Sequence, residues 1–271
     1  MFVEIKLYYT FIAKYIKSKL EYKFSIIVET IANMINIGSY YMFLIVIFQQ
    51  VASISGWDYY ESIFLVSLNW LSTAVCGFFF WAPMMSMGQM IKDGTFDGLL
   101  IRPIHPLRFS IYRQFQYTFV GRLILAIGFL AFSMYHLSIS WSFVRVIYFI
   151  VILISGVFIH GGLQIIMGAT AFWVIDNKDI VNLIASYDGI RTFIDFPMSA
   201  FNLFINVFFT FIMPYAFVNF YPSIYFLNKG ADQSLFSPIF QFGSPLVGAF
   251  VFLLGVLLWY HGLKRYSGSG S

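Results

Sequence analysis

The sequence predicts an all-α membrane protein with six transmembrane helices, and three observations support this fold class. Of the 271 residues, 60% are hydrophobic and only 10% are charged, whereas about 25% of an average soluble domain is charged. The apolar residues form long continuous runs instead of the strict alternation of a β-barrel. The few basic residues gather between particular runs. This pattern excludes an ordinary soluble enzyme, a disordered protein and a nucleic-acid-binding domain.

Each predicted span is a run of about 20 mostly apolar residues, which is the length that crosses the hydrocarbon core of a bilayer. The runs cover residues 24–48, 59–81, 115–135, 143–173, 196–217 and 245–263. The fourth run is long enough to tilt in the bilayer. The single cysteine, Cys76, excludes an internal disulfide. We therefore expect residues 24–271 to form one membrane domain.

The basic residues predict the orientation of this domain. Thirteen of the sixteen Lys and Arg residues precede the first span, follow the last, or lie in the loops after the second and fourth spans. Because cytoplasmic loops carry an excess of Lys and Arg, we expect a multi-pass protein of a bacterial cytoplasmic membrane with both termini in the cytoplasm. The loop after the fourth span also carries four aspartates and is expected to be solvated. These are Asp176, Asp179, Asp188 and Asp195.

Residues 1–23 predict an amphipathic helix that lies on the cytoplasmic leaflet. On a helical wheel, Ile5, Ile12 and Ile16 share one face, while Lys14 and Lys17 lie on the opposite one. Glu and Lys interrupt the apolar residues of this segment, so it does not resemble a signal peptide. Two roles remain open: it either only anchors the first span or also contributes to a surface where a partner docks.

The least apolar segment between the spans is residues 85–113, which we call the elbow. Gly94 and Gly98 permit tight turns, while Pro103 and Pro106 fix the backbone and disfavour helix at the residues before them. The segment also carries four basic residues. We expect a short, stiff structure here. It is either an ordinary cytoplasmic loop or a site where a partner binds.

Three stretches of the sequence resemble one family. Residues 94–107, GTFDGLLIRPIHPL, resemble the glycine–x–x–aspartate and leucine–arginine–proline–leucine–x–proline–leucine signature of type-2 ABC exporter permeases, in their small six-span branch. Residues 214–222, PYAFVNFYP, are similar to the stretch that follows the fifth span in that branch. The ending GLKRYSGSGS resembles its usual tail. Together the three matches extend over nearly the whole chain.

The resemblance implies a division of labour between subunits. In such transporters two permease subunits, identical or related, pair in the membrane, and each docks one cytoplasmic ATPase subunit. The ATPase binds ATP and Mg, so the permease binds no cofactor directly and carries no catalytic residue. No GxxxxGK[ST] phosphate loop occurs in this sequence, which agrees. Membrane lipids are the remaining expected partners, and nucleic acid is not one.

The resemblance also implies two sites. Its coupling helix, which sits in a groove of the ATPase, falls on the elbow. The residues concerned are Gly94, Asp97, Leu99, Leu100, Ile101, Arg102, Pro103, Pro106 and Arg108. The leucines and isoleucine would fill an apolar groove, and the arginines would pair with acidic ATPase residues, although Arg108 fits lipid phosphate contact equally well. Short re-entrant helices over residues 219–243 would form an outer gate. Its residues would be Pro214, Asn219, Tyr221 and Pro222.

Polar residues within the spans are candidate functional residues, because such residues are rare inside a membrane. Arg122 either extends to the cytoplasmic interface or pairs with Glu29, and His160 is either functional or bonded to a neighbouring helix. No metal-ligand spacing accompanies them. Small residues recur every seven positions in the last span and the fourth, which predicts close helix packing within the subunit or between subunits. They are Gly248, Gly255 and Gly262, and Gly161 and Gly168.

Two other classes of protein remain alternatives. A channel or secondary transporter that works without ATP usually shows paired intramembrane charges or two repeated halves, and neither is apparent in the sequence. A membrane-embedded enzyme needs clustered His, Asp or Glu at the membrane boundary. The four aspartates after the fourth span have no His among them, so the exporter permease is favoured.

Overall fold

The computed structural model describes residues 12, 17, 23–174, 177, 181, 190–230 and 233–266. The amphipathic helix expected over residues 1–23 therefore lies almost wholly outside the described residues. Within them the protein is helical, and the sole β-type pairing is an isolated bridge between Ile54 and Trp57. The predicted helical class is confirmed.

In chain order, the described residues form a series of α-helices. They are α1 (Lys23–Gln50), α2 (Tyr59–Cys76), α3 (Ala82–Met85), α4 (Met87–Lys92), α5 (Asp97–Leu100), α6 (Pro106–Arg113), α7 (Phe119–His136), α8 (Phe143–Ala169), α9 (Leu203–Val207), α10 (Phe220–Phe226) and α11 (Ser244–Arg265). A π-helical turn, Gly77–Trp81, joins α2 to α3, and a second, Phe208–Ile212, extends α9.

Five helical stretches of the described residues are long and apolar enough to cross a membrane. They are Phe24–Gln50, Tyr59–Lys92, Phe119–His136, Phe143–Phe172 and Ser244–Arg265. The structure differs from the sequence prediction at the fifth span. Instead of one helix over 196–217, it has two pieces, Leu203–Ile212 and Tyr215–Phe226, that meet at 77°.

Pro214 explains this break. It stands between the two pieces, and proline has no amide hydrogen to continue a helical ladder. The residue before it, Met213, has φ −120° and ψ 83°, outside the helical region, as expected for a residue that precedes proline. The described residues therefore contain six candidate spans only if the bent pair is counted as one.

The second span lies at the centre of the bundle, with 78% of its most apolar stretch buried. Its start is fixed by a capping box in which Asp58 accepts a hydrogen bond from the Glu61 amide (2.9 Å) and Glu61 accepts one from the Asp58 amide (2.8 Å). Near its other end, the side chain of Phe119 covers Gly77 so closely that a Cβ there would lie 2.3 Å from the ring. This span therefore provides the frame on which the other elements pack.

Glycines join α8 to α11 within the subunit. A Cβ on Gly162 would lie 2.6 Å from the Val251 carbonyl oxygen, and one on Gly255 would lie 2.6 Å from the Gly162 oxygen. Gly248 faces the backbone of Ser155 in the same way. Because only glycine allows backbones to approach this closely, α8 and α11 form a tightly packed pair. Packing within the subunit, one of the two arrangements that the glycine pattern left open, is thus observed, and packing between subunits stays a prediction.

Candidate functional sites

The elbow is a folded structure with two sharp changes of direction. Gly94 follows α4 with φ 68°, a left-handed conformation that favours glycine. Pro106 then begins α6 at its first helical position, where the missing amide hydrogen costs nothing. Between them α5 is a single helical turn. The predicted stiff elbow is thus built from the glycine and proline that suggested it.

The inner face of the elbow packs on the ends of two spans. Phe96 is fully buried, with its ring centroid 5.4 Å from that of Phe172 and 5.1 Å from that of Tyr266. Phe172 directly extends the helical stretch of α8, and Tyr266 follows α11. The Tyr266 hydroxyl donates to Asp97 Oδ1 at 2.8 Å. The elbow is therefore fixed to the α8–α11 pair.

The outer face of the elbow is exposed and carries apolar and basic side chains together. Ile101 is 87% exposed and Leu100 is 41% exposed. Arg102, Pro103 and Arg108 are also exposed, and the Arg102 guanidinium lies 5.1 Å from the Phe109 ring centroid. An isoleucine that is almost fully exposed beside a cation is typical of a surface that a partner covers.

One residue that was predicted to dock a partner is buried instead of exposed. Leu99 is only 3% exposed and packs in the same apolar cluster as Phe96. The one-turn helix α5 turns Leu99 inward while Leu100 and Ile101 face out. The prediction that Leu99 fills a groove on a partner is therefore wrong, because its side chain holds the elbow against the bundle. The docking role of the exposed residues stays a prediction.

His105 lies where the elbow meets the last span. Its ring centroid is 4.6 Å from that of Tyr260 in α11. Partial burial and the neighbouring positive charge of Arg108 hold the pKa of His105 below its ordinary value. Both effects favour the neutral form of the imidazole.

A cluster of polar side chains lies inside the bundle, which we call the polar cluster. Its members are Asn69, Thr73, His160, Arg191 and Asp195. The Asn69 side-chain amide donates to Asp195 Oδ1 at 2.7 Å. His160 Nε2 lies 3.1 Å from both Asn69 Oδ1 and Thr73 Oγ1. Arg191 donates to the same Thr73 oxygen at 3.0 Å. Together these bonds join α2, α8 and the 3-10 segment Ile190–Asp195.

Two members of the polar cluster overturn an expectation from the sequence. Arg191 and Asp195 are 2% and 3% exposed, so the prediction of a solvated loop after the fourth span is wrong for them. The reason is that Ile190–Asp195 folds back into the bundle and finds polar partners there. The other aspartates of that loop, Asp176, Asp179 and Asp188, lie outside the described residues. The sequence did contain a signal for this cluster. Two polar residues of the second span, Asn69 and Thr73, are four positions apart and therefore lie on one face of α2.

The three intramembrane candidates have different surroundings. His160 belongs to the polar cluster, and its ring also lies 5.2 Å from that of Tyr215. Arg122 is 6% exposed, and its guanidinium lies 4.8 Å from the ring centroids of both Trp70 and Phe119. Glu29 is exposed on α1. Within the part of the chain that the structure describes, no three His, Cys, Asp or Glu side chains are grouped for a metal ion.

The residues assigned to an outer gate cluster around the broken span. Asn219 is fully buried; its amide donates to the Ile194 carbonyl at 2.6 Å, and its oxygen accepts from the Phe220 amide. The Tyr221 and Thr210 hydroxyls are 2.9 Å apart. Pro214 separates the two helical pieces of the broken span, and Pro222 lies inside α10. Asn219 thus links this region to the segment that holds Asp195.

An apolar cavity of about 680 Å³ lies beside this region, between the α8–α11 pair and the broken span. Phe217 and Phe240 line it with their ring centroids 5.6 Å apart, and the Phe217 ring also lies 4.7 Å from that of Tyr221. Beyond these rings is a smaller pocket, lined by Tyr221, Lys229 and Ser234 among others. The contact between Phe217 and Tyr221 thus joins the linings of the two cavities, of which only the smaller includes a charged side chain, Lys229.

The fold and these sites define a polytopic membrane protein in which a folded elbow is fixed to the ends of two spans. A family model described as ABC-2 family transporter protein matches residues 34–270. The chain therefore belongs to the ABC-2 transporter family and is a permease-type membrane subunit of an ABC transporter. The resemblance seen in the sequence is confirmed. No match was found among curated proteins or among solved structures.

Proposed function

We propose that two copies of this permease, or this permease and a related one, pair in a bacterial cytoplasmic membrane and export a substrate. Each copy docks one cytoplasmic ATPase subunit on the elbow, and the ATPase binds the ATP and Mg. Both termini then lie in the cytoplasm, on the side of the elbow. The observation that carries this proposal is the division of the elbow into an exposed face and a face fixed to the spans.

The exposed face has the chemistry of a docking surface. Ile101 supplies an apolar side chain that water surrounds on nearly all sides, so covering it is favourable. Arg102, the next residue in the chain, and Arg108, in the first turn of α6, are exposed cations that can pair with carboxylates of a partner. A central apolar contact with a basic rim is the usual anatomy of a specific interface.

The buried face explains how movement would reach the membrane. Phe96 and Leu99 are held in one apolar cluster with Trp259 of α11 and Ile165 of α8. Packed interiors transmit displacement instead of absorbing it. An ATPase that moves the elbow would therefore move α8 and α11 with it as a rigid body.

Co-purification with candidate ATPase subunits tests the proposal, and the best candidate is one encoded next to this chain. We expect Ile101→Asp to reduce the amount of bound ATPase about tenfold, which corresponds to about 1.4 kcal/mol. Ile239→Asp is the matched control, because Ile239 is 69% exposed but lies beside the apolar cavity, away from the elbow. The control is expected to retain the ATPase.

Arg102→Glu tests the charged part of the same surface. We expect it to weaken ATPase binding, and to do so less at high salt, because salt screens exposed charges. If no ATPase co-purifies with the wild type, or if both elbow variants bind and transport as the wild type does, docking on the elbow is wrong. Transport that continues without ATP would instead support a channel or secondary transporter.

A further inference from the structure

The apolar cavity beside the broken span and the smaller pocket near Lys229 adjoin each other toward the end of the bundle opposite the elbow. The apolar cavity measures about 680 Å³, within the range of ligand-binding cavities. Among its lining residues only Thr210 has a polar side chain. The smaller pocket measures about 110 Å³, which is below that range. The two sizes suit the apolar body and the small polar group of one molecule.

Tyr221 links the two linings. Its side chain lines the smaller pocket, and its hydroxyl lies 2.9 Å from that of Thr210 in the lining of the apolar cavity. Its ring centroid lies 5.6 Å from that of Phe240, which also lines the apolar cavity. The next residue along the chain, Gln241, lines the smaller pocket. One molecule can therefore contact both linings.

The apolar cavity follows α11 through the half of this helix that is remote from the elbow. Its lining extends from Gly243, immediately before α11, to Leu254, about 16 Å along the helix. The hydrocarbon core of a bilayer is about 30 Å thick, so this length corresponds to one leaflet. Leu246 and Phe250 of the lining are 78% and 66% exposed, which opens the cavity sideways. An alkyl chain can thus enter from the bilayer and lie along α11, with its polar end at the smaller pocket.

The charge in the smaller pocket is already balanced. Lys229 is the only charged residue among the lining residues, and its ammonium lies 2.6 Å from the Glu61 carboxylate. It also donates to the Gly56 carbonyl at 2.8 Å. The other polar side chains of the lining are hydroxyls and one amide, which bond without charge. They are Tyr221, Ser234, Ser237 and Gln241. Because an anionic group would compete with Glu61 for Lys229, the pocket favours an uncharged group that bears hydroxyl or amide functions.

We propose that the two cavities together bind the exported substrate, an amphipathic molecule with one alkyl chain and a small uncharged head. The chain occupies the apolar cavity, and the head bonds with the hydroxyls and the amide of the smaller pocket. This assignment rests on the proposed export function, since only a transporter makes the bound molecule a substrate. An apolar groove of about 430 Å³ between α1 and α7 could also take an alkyl chain, but none of its lining residues is polar. It therefore offers no groups that would select a head.

Binding of radiolabelled 1-monooleoylglycerol to the purified permease, without any ATPase, tests the place of the chain. We expect Leu246→Trp, which adds a large ring to the open side of the cavity, to raise the Kd about tenfold. Leu257→Trp is the matched control, because Leu257 is 66% exposed and lies three turns further along the same face of α11, outside the lining. The control should bind as the wild type does. An unchanged Kd in Leu246→Trp would overturn the assignment.

Two comparisons test the head. Gln241→Leu keeps the approximate size of the side chain and removes its hydrogen-bonding groups, so we expect binding about fivefold weaker. Gln49→Leu, at an exposed position near the end of α1, should leave the Kd unchanged. Oleoyl lysophosphatidate carries the same chain with a phosphate head, and it should displace the label only at a concentration about tenfold higher than unlabelled 1-monooleoylglycerol requires. Equal displacement by the two lipids would contradict an uncharged head.

ATP hydrolysis by the complex of permease and ATPase distinguishes a substrate from a resident membrane lipid. We expect 1-monooleoylglycerol to raise the rate of hydrolysis, because a substrate is coupled to the ATPase cycle. An unchanged rate would identify the bound molecule as a resident lipid and overturn the substrate assignment. The Kd is measured on the permease alone, so loss of docking on the elbow would disprove the proposed function without altering it. Absence of binding by a permease that still docks its ATPase would disprove the substrate class alone.

Discussion

The hydroxyl of Tyr266 donates a hydrogen bond to Asp97 across 169 positions of the sequence. This bond and the neighbouring contact between the rings of Phe96 and Tyr266 close the elbow onto the end of the last span. Because Asp97 begins α5, the contact fixes the one helical turn that presents Leu100 and Ile101 outward.

Substitution of Tyr266 should separate the hydrogen bond from the ring packing. Tyr266→Phe removes only the hydroxyl and is expected to cost about 1 kcal/mol. Tyr266→Ala also removes the ring that packs on Phe96 and Phe172, with an expected loss of about 2–3 kcal/mol. Thermal unfolding in detergent measures which of the two variants loses more stability. Equal losses for the two variants would mean that the ring contributes nothing.

Gly162→Ala should separate α8 from α11. Its Cβ would lie 2.6 Å from the Val251 carbonyl oxygen, and backbone cannot yield as a side chain can. We expect a loss of roughly 2–4 kcal/mol, comparable to other overpacked or strained core sites. Gly128→Ala is the control, since nothing lies within 4 Å of a Cβ there. The control should be neutral or stabilising, because alanine favours helix over glycine.

Asn69→Leu should break the polar cluster. It removes the donor to Asp195 and the acceptor for His160 together, and a buried polar group left without its hydrogen bond costs roughly 1–3 kcal/mol. Asn36→Leu, the same change at an exposed position of α1, should leave the melting temperature near that of the wild type. A small effect at Asn69 would show that the cluster does not hold Ile190–Asp195 in place.

Gly94→Ala should strain the elbow. A left-handed φ of 68° costs a residue with a Cβ about 1–2 kcal/mol. Gly98→Ala, four residues later, meets no atom within 4 Å and serves as the matched control. Limited proteolysis of the elbow measures the difference, with faster cleavage expected for Gly94→Ala alone. Identical cleavage of both variants would show that the turn tolerates other residues.

Local features of the chain were predictable from the sequence. Gly94 and Pro106 act through their own backbone preferences, so the elbow they form could be predicted from residues 85–113. The long apolar runs likewise predicted the helices of all spans except the fifth, because hydropathy depends on neighbouring residues.

Features set by distant partners were not predictable in the same way. The charges of Arg191 and Asp195 favour a solvated loop unless one knows that Asn69 and Thr73 lie opposite them. The inward turn of Leu99 depends on the apolar cluster beneath it. Residues of α8 and α11 contribute to this cluster. The break at Pro214 had a local signal, but the 77° angle follows from packing around Asn219 and Tyr221.

The glycine contacts between α8 and α11 have a mechanical consequence. With 27 residues, α8 is about 40 Å long, and its partner stiffens it along most of that length. A tilt of roughly 5° about one end of such a lever displaces the other end by about 3.5 Å. That far end carries Tyr148, which bonds the Gln241 carbonyl and packs 5.1 Å from Tyr225. A tilt of a few degrees about the elbow end of α8 is thus enough to reposition an aromatic side chain at its other end.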